Sequence, residues 1–365
     1  MRVLLLSTDA WGGHGGIALY NRDLATAIAS RDDVEEVIVI PRVVRTDLRG
    51  IPPKVTFLPE AARGPLHYMR AIASARRARP DLVVCGHLNL LPVACAIASH
   101  PILMIYGIDA WKRQHSALRN RLLHRCAAIV SISELTRDRF LDWSGYRGPT
   151  HILPNAIHAE QYGIREKRAD LVARYRLAGK RVLLTVGRLA SEERYKGFDE
   201  VLEVLPELPA DVVYIIAGGG NDETRLRRKA ESLGIADRVS FTGLFPEEEK
   251  PDLFSLADVY VMPSRGEGFG YVILEALASG LPVIASKHDG GREAVLDGNL
   301  GLLVDPANPA EIIAAIRELL DHPRREIPAG LAHFSFENFV ARLRVILTTC
   351  HPERSEGSPP SGRWP

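Results

Sequence analysis

The chain is 365 residues long, with 46% hydrophobic and 25% charged residues and a formal net charge of +1. That length suits two compact units of roughly 150 residues each, and the composition excludes collagen-like, coiled-coil and wholly disordered chains. Charge is unevenly spread, with 20 Lys and Arg against 14 Asp and Glu up to residue 160 and 26 against 31 beyond it, so a basic half precedes an acidic one.

The chain opens on the apolar run Val3–Ser7. The run is too short for a signal-peptide core and soon meets Asp9, so it reads as a first strand. It leads into Trp11-Gly12-Gly13-His14-Gly15-Gly16 and an expected helix from Ile17 to Ser30. Glycines in a strand-to-helix turn let an anion approach the amides of a helix N-terminus. Gly13-x-Gly15-x-x-Ala18 also matches a dinucleotide fingerprint weakly, but the next strand ends Ile40-Pro41-Arg42 with no acid to hold a ribose. NAD is therefore disfavoured, Arg42 leaves NADP open, and a tight turn without a ligand is the plain alternative.

Further β-rich runs follow at Val37–Ile40, Val55–Leu58, Leu82–Cys85, Ile102–Tyr106, Ala128–Ile132 and His151–Leu153. Leu88 to Ile108 is the most apolar longer stretch, but Asn89, Pro92, His100 and Pro101 interrupt it, which argues against a membrane span. Cys85, Cys95, Cys126 and Cys350 are scattered with no Cys-x-x-Cys pair, a usage that fits a reducing compartment and suggests no zinc site, so a cytosolic location is expected. The basic segments Arg70–Arg79 and Lys112–Arg125 read plainly as solvated helix faces. The sharper reading is attraction to anionic lipid headgroups or a phosphorylated acceptor. Nucleic acid is disfavoured, because no aromatics are interleaved with the charges.

After a polar stretch from His158 to Arg176 the alternation restarts with Arg181–Val186, Val212–Ala217, Val239–Thr242, Val259–Met262, Val283–Ala285 and Gly301–Val304. These runs are apolar throughout, so both faces of each sheet should be covered, the doubly wound α/β arrangement. Ligands of such sheets bind beyond the carboxyl ends of the strands. Arg188 falls at one such end and Lys196 just before the next helix, two cations suited to a diphosphate. The segment from Pro263 to Ala285 is the most informative: Glu267 lies in a loop with Gly268, Phe269 and Gly270, and Glu275 lies on the apolar helix that follows. The two carboxylates could hold opposite ends of one elongated ligand such as a nucleotide-sugar; the alternative for Glu275 is a pairing within the fold. The last fifteen residues, His351 to Pro365, have no apolar period and are expected to form a disordered tail.

Pro263-Ser264, Glu267-Gly-Phe-Gly, Glu275-Ala276 and Gly280-x-Pro282-Val283-Ile284 together resemble the retaining glycosyltransferases of family 4, from Met1 to about Leu347. The glycine loop at 12–16, Val130-Ser131-Ile132-Ser133-Glu134, Pro154-Asn155-Ala156, Val186-Gly187-Arg188, Lys196-Gly197, Gly218-Gly219-Gly220 and Gly290-Gly291-Arg292-Glu293 add context. The resemblance implies the GT-B fold: two facing Rossmann-like domains, 1–160 and 161–335, with a cleft between them and a C-terminal helix near 336–348 returning to the first domain. It implies that Arg188 and Lys196 clamp the donor diphosphate, that Glu275 holds the ribose hydroxyls and that Glu267 contacts the transferred sugar. The amides of Gly268, Phe269 and Gly270 would help hold sugar and phosphates, Leu244 and Phe245 would border the nucleobase, and Gly13, Gly15 and Gly16 would approach the diphosphate on closure.

The chain departs from the family pattern at Tyr106, where many members carry a histidine that contacts the donor sugar, and at Asn155-Ala156 in place of Asn-Gly. Tyr106 and Asp109 are candidates for sugar or acceptor contact, with a structural turn carboxylate the alternative for Asp109. The implied reaction is hexosyl transfer with retention from a nucleoside-diphosphate sugar to a glycan or lipid-linked acceptor, in envelope or exopolysaccharide synthesis, with peripheral contact to an anionic membrane. No cofactor is expected, and with no carboxylate-rich Asp-x-Asp pair no metal either. The rival readings are a catalytically silent sugar-nucleotide-binding protein and an NADP-dependent oxidoreductase.

Overall fold

The computed structural model describes residues 1–13, 15–45, 48–113, 115–322 and 325–350; the tail expected at 351–365 lies outside the described residues, as does His14 of the glycine loop. Seven runs of the first half become strands β1 (Arg2–Ser7), β2 (Glu36–Pro41), β3 (Val55–Phe57), β4 (Leu82–Cys85), β5 (Ile102–Ile105), β6 (Ala128–Ser131) and β7 (Thr150–Ile152). Six of the second half become β8 (Arg181–Val186), β9 (Val212–Ala217), β10 (Val239–Phe241), β11 (Val259–Met262), β12 (Val283–Ser286) and β13 (Leu302–Val304). All pair in parallel, in the orders β3-β2-β1-β4-β5-β6-β7 and β10-β9-β8-β11-β12-β13. Each sheet thus reverses its winding once, between β1 and β4 in the first and between β8 and β11 in the second. A reversal splays the two following loops apart and leaves a crevice at the strands' carboxyl ends.

The continuous apolar runs are explained by which face each side chain meets. In the first sheet Val3, Leu5, Val37, Val39 and Val84 point to one side, toward Tyr20, Leu24 and Ile28 of the helix Gly16–Ala29. Leu4, Leu6, Ile38, Ile40 and Val83 point to the other, toward Tyr68 and Ile72 of the helix Pro65–Arg77 and Phe140 of the helix Glu134–Ser144. Residues of alternate parity therefore serve opposite layers, and each fully buried aliphatic side chain contributes about 1.5–3 kcal/mol.

The chain crosses between the domains twice, and the crossings touch where the Ile157 N–H donates to the Phe334 carbonyl at 2.7 Å. The returning helix Phe336–Cys350 lies on the helix Gly16–Ala29, with the Phe339 and Tyr20 rings edge to face at 5.5 Å. One apolar cluster, running through Ala156, Ile157, Leu331, Phe334 and Phe339, joins the cores of the two domains. Among the described residues no helix is long and apolar enough to cross a membrane.

Candidate active site at the domain cleft

The carboxyl ends of β8 and β11 flank the reversal of the second sheet, and the loops leaving them carry Arg188, Lys196 and Glu267. Lys196 Nζ lies 3.5 Å from Glu267 Oε2 and 3.6 Å from Glu193 Oε2. Burial works against the Lys196 charge, but Glu267 and Glu193 outweigh it and hold the ammonium above its usual value. Arg188, the more exposed cation, forms its ion pair with Glu193. Glu193 thus bridges both cations with one carboxylate, a role that nothing in the periodicity around it signals.

Glu267 is held by its main chain. Its N–H donates to Asp289 Oδ2 at 2.9 Å, and its carbonyl accepts from the Gly290 N–H at 2.8 Å. Asp289, 3% exposed, also accepts from the Ser264 hydroxyl at 2.6 Å and from the Gly291 N–H at 3.0 Å. Burial pushes its carboxyl up to about 6. Gly270, at φ 89°, turns the chain into the helix Tyr271–Ala278, a left-handed conformation that a side chain resists. The Phe269 ring is buried against Phe334 at 5.5 Å, a placement compatible with the main-chain contact expected of this residue.

Glu275 sits on that helix at 1% exposure. Its Oε1 accepts from the Tyr162 hydroxyl at 2.8 Å and from Lys250 Nζ at 3.0 Å, while the buried Oε2 has no hydrogen-bond partner among the described residues. Burial raises its carboxyl, opposed by Lys250 and Tyr162. Sequence reasoning named neither partner; they arrive from the inter-domain crossing and from the helix Lys250–Leu256. Leu244, 89% exposed, lies over Gly219 at the ends of β9 and β10, and Phe245 is half-buried against the core.

In the first domain, Gly13 packs so tightly that a Cβ there would lie 2.7 Å from that of Asp9. Gly15 caps the helix Gly16–Ala29, which has no acidic residue in its first turn, and Gly16 stands opposite Tyr271 of the second domain. Tyr106, a candidate for sugar or acceptor contact, is buried, and its hydroxyl donates to Asn21 Oδ1 at 2.8 Å within the first domain. Asp109 Oδ2 lies 3.8 Å from His87 Nε2, and burial pushes the Asp109 carboxyl up to about 7. Arg42, the residue that left NADP open, stacks on the Tyr68 ring at 4.7 Å. Among the described residues no group of three or more His, Cys, Asp or Glu side chains is placed to hold a metal ion.

The second domain matches the family model described as "Glycosyl transferases group 1" over residues 168–330, and the first matches "Glycosyltransferase Family 4" over residues 14–161. A GDP-mannose-dependent alpha-(1-6)-phosphatidylinositol monomannoside mannosyltransferase of Mycolicibacterium smegmatis is 35% identical over 63% of this chain and 62% of its own length. A D-inositol 3-phosphate glycosyltransferase of Thermobispora bispora is 38% identical over 47% of this chain and 44% of its own. The matched stretch thus spans less than two thirds of these relatives. Among solved structures, Anabaena HepE in complex with UDP and glucose superposes with a TM-score of 0.76 at 23% identity, over 96% of this chain and 100% of that one. Sucrose-phosphate synthase of Thermosynechococcus elongatus gives 0.74 at 21% identity, over 96% and 99%. With both of its halves matched in turn, the chain belongs to the group 1, family 4 glycosyltransferases, on the two-domain GT-B fold.

Proposed function

We propose that this chain transfers a hexosyl group from a nucleoside-diphosphate sugar to a hydroxyl of a glycan or lipid-linked acceptor, with retention at the anomeric carbon and without a metal ion, in the synthesis of envelope or exopolysaccharide glycans. The observation that carries the reading is the meeting of Arg188, Lys196 and Glu267 at the reversal of the second sheet. Two cations there suit a diphosphate, and a carboxylate beside them suits sugar hydroxyls. Glu275 Oε2, buried without a hydrogen-bond partner among the described residues, is the oxygen that a ribose hydroxyl would satisfy. The exposed Leu244 offers an apolar surface to a nucleobase.

In this reaction the acceptor oxygen bonds to the anomeric carbon on the face from which the diphosphate leaves. The bond from that carbon to the diphosphate oxygen breaks, and the acceptor proton passes to the departing phosphate. Negative charge grows on the leaving group, so Arg188, Lys196 and the amides after Glu267 bind the transition state more tightly than the ground state. The acceptor enters from the first domain, where Asp109 and His87 follow β5 and β4. Leu66 and Met69, exposed beside Arg70 on the helix Pro65–Arg77, support a peripheral approach to an anionic membrane.

The M. smegmatis relative is named for GDP-mannose, and HepE was solved with UDP, so both nucleotides are candidates. A thermal-shift screen against UDP, GDP, ADP, NADP and their sugar conjugates tests the reading, because a ligand that binds only the folded chain raises its melting temperature. A shift with one nucleoside diphosphate supports it and names the base; a shift with NADP alone sinks it. Binding to anionic vesicles at low salt is expected, and its absence would remove the membrane part alone.

A further inference from the structure

The buried carboxylate of Asp289 makes contacts that a structural turn does not require. Its Oδ1 accepts from the Gly291 N–H at 3.0 Å and closes the turn that starts the helix Gly291–Ala294. A neutral Asn or Ser could do that without a buried charge. Its Oδ2 reaches out of this turn into the loop after β11, accepting from the Ser264 hydroxyl at 2.6 Å and the Glu267 N–H at 2.9 Å. One oxygen taking two donors in a dry site is what an ionised carboxylate does better than an amide. Burying a charge with no ammonium or guanidinium beside it among the described residues is costly, and the three donors around Asp289 are what offset that cost.

The contacts converge on one residue. The Glu267 N–H goes to Asp289 and its carbonyl accepts from the Gly290 N–H at 2.8 Å, so both of its main-chain polar groups are held by consecutive residues of the loop after β12. The packing is equally close, since a Cβ on Gly290 would lie 2.1 Å from the Gly268 carbonyl oxygen. With its backbone fixed on one side, the Glu267 side chain projects toward Lys196, 3.5 Å away.

We propose that Asp289 is a positioning residue that fixes Glu267, through its main chain, at the place where Glu267 meets the sugar of the donor. The proposal rests on the donor-site reading above. Asp289 itself does not touch the donor, and the nucleoside diphosphate is bound by other groups. The two parts of the ligand should therefore respond differently when Asp289 is changed.

The test compares the full-length chain with Asp289→Asn and, as a milder second variant, Ser264→Ala. Calorimetry measures binding of the free nucleoside diphosphate and of its sugar conjugate, kinetics give kcat and KM, and hydrogen exchange follows the 264–270 amides. For Asp289→Asn, affinity for the free diphosphate stays within about twofold. The affinity added by the sugar is lost, and kcat falls on the order of 10²-fold, the scale of a misplaced contact group. Exchange quickens at 264–270 while the strand amides keep their protection. Ser264→Ala, which leaves both amide contacts in place, shows the same pattern with smaller amplitude. Wild-type kcat and unchanged loop exchange in Asp289→Asn would overturn the proposal, and equal losses for free diphosphate and conjugate would reduce Asp289 to a general structural role. If the wild-type chain bound no nucleoside diphosphate, the donor-site reading would fall by itself, and the exchange data would still show whether Asp289 holds the loop.

Discussion

Gly107 of the first domain and Gly268 of the second meet across the cleft with no room for a side chain between them. A Cβ on Gly107 would lie 2.9 Å from the Gly268 Cα, and one on Gly268 would lie 2.3 Å from the Tyr106 carbonyl oxygen. Because the obstacle is backbone, no rotamer relieves it. Gly268→Ala is expected to hold the domains apart, lowering kcat on the order of 10²-fold while free nucleoside diphosphate still binds. Small-angle scattering on the variant, alongside its kinetics, checks this; an unchanged radius of gyration with normal turnover would contradict it.

A second join lies beside the first. The Glu293 carboxylate accepts the N–H groups of Glu134 at 2.7 Å and Leu135 at 2.9 Å, so a residue of the second domain caps a helix of the first. Removing an anion from a helix N-terminus costs about 1 kcal/mol. Glu293→Ala should lower the melting temperature by a few degrees and widen the scattering envelope, and Glu293→Gln should do less, since one oxygen remains.

Glu193 occupies both cations assigned to the diphosphate, pairing with Arg188 and standing 3.6 Å from Lys196. A donor must take these partners from it. Glu193→Gln is therefore expected to tighten free nucleoside diphosphate roughly three- to tenfold, the release of about 1 kcal/mol of ion pairing. Titration calorimetry decides the sign, and weaker binding would mean that Glu193 orients the cations instead of competing for them.

Lys196→Ala and Glu267→Ala should separate the two ends of the donor. Lys196→Ala removes the half-buried cation and leaves Glu193 and Glu267 facing the phosphates, so binding and turnover both fall, kcat by about 10²–10³-fold. Glu267→Ala should abolish transfer while free nucleoside diphosphate binds nearly as before. Steady-state kinetics paired with calorimetry check both, and normal turnover in either variant would remove the residue from the site.

Asp289 ties activity to pH. Burial raises its carboxyl to about 6, with the Glu267 charge adding to the rise and the Ser264 and main-chain donors opposing it. Only the ionised form accepts all three donors, so turnover should fall as pH drops through about 6, and Asp289→Asn should lack that limb of the profile. Stability runs the other way. The folded chain takes up this proton more readily than the unfolded one, so relative to Asp289→Asn the wild type should gain on the order of 3 kcal/mol as pH falls from above 6 into the ordinary carboxylate range. Urea unfolding of both proteins across that window measures the difference.

The central strands of both sheets were legible in the sequence, because a parallel strand covered on both faces is apolar along its length, as Val259–Met262 is, buried at every position; the edge strands β3, β7 and β10 are only partly buried and carry Thr56, His151 and Ser240. The sequence also offered Arg188, Lys196 and Glu267 as candidates, since charge and glycine concentrate in the loops that follow apolar strands, and Glu275 as a carboxylate on an otherwise apolar helix. What those groups touch depends on how distant elements come together in space. Strand order brings the loops after β11 and β12 together, and that alone places Asp289 on the Glu267 N–H. Tyr162 and Lys250 reach Glu275 from other elements, Tyr106 turns its hydroxyl to Asn21, and Gly107 finds Gly268 in the opposite domain. Burial leaves a local, periodic imprint on the residues it selects, whereas a hydrogen bond between distant loops depends on which strands lie side by side, and no local pattern records that.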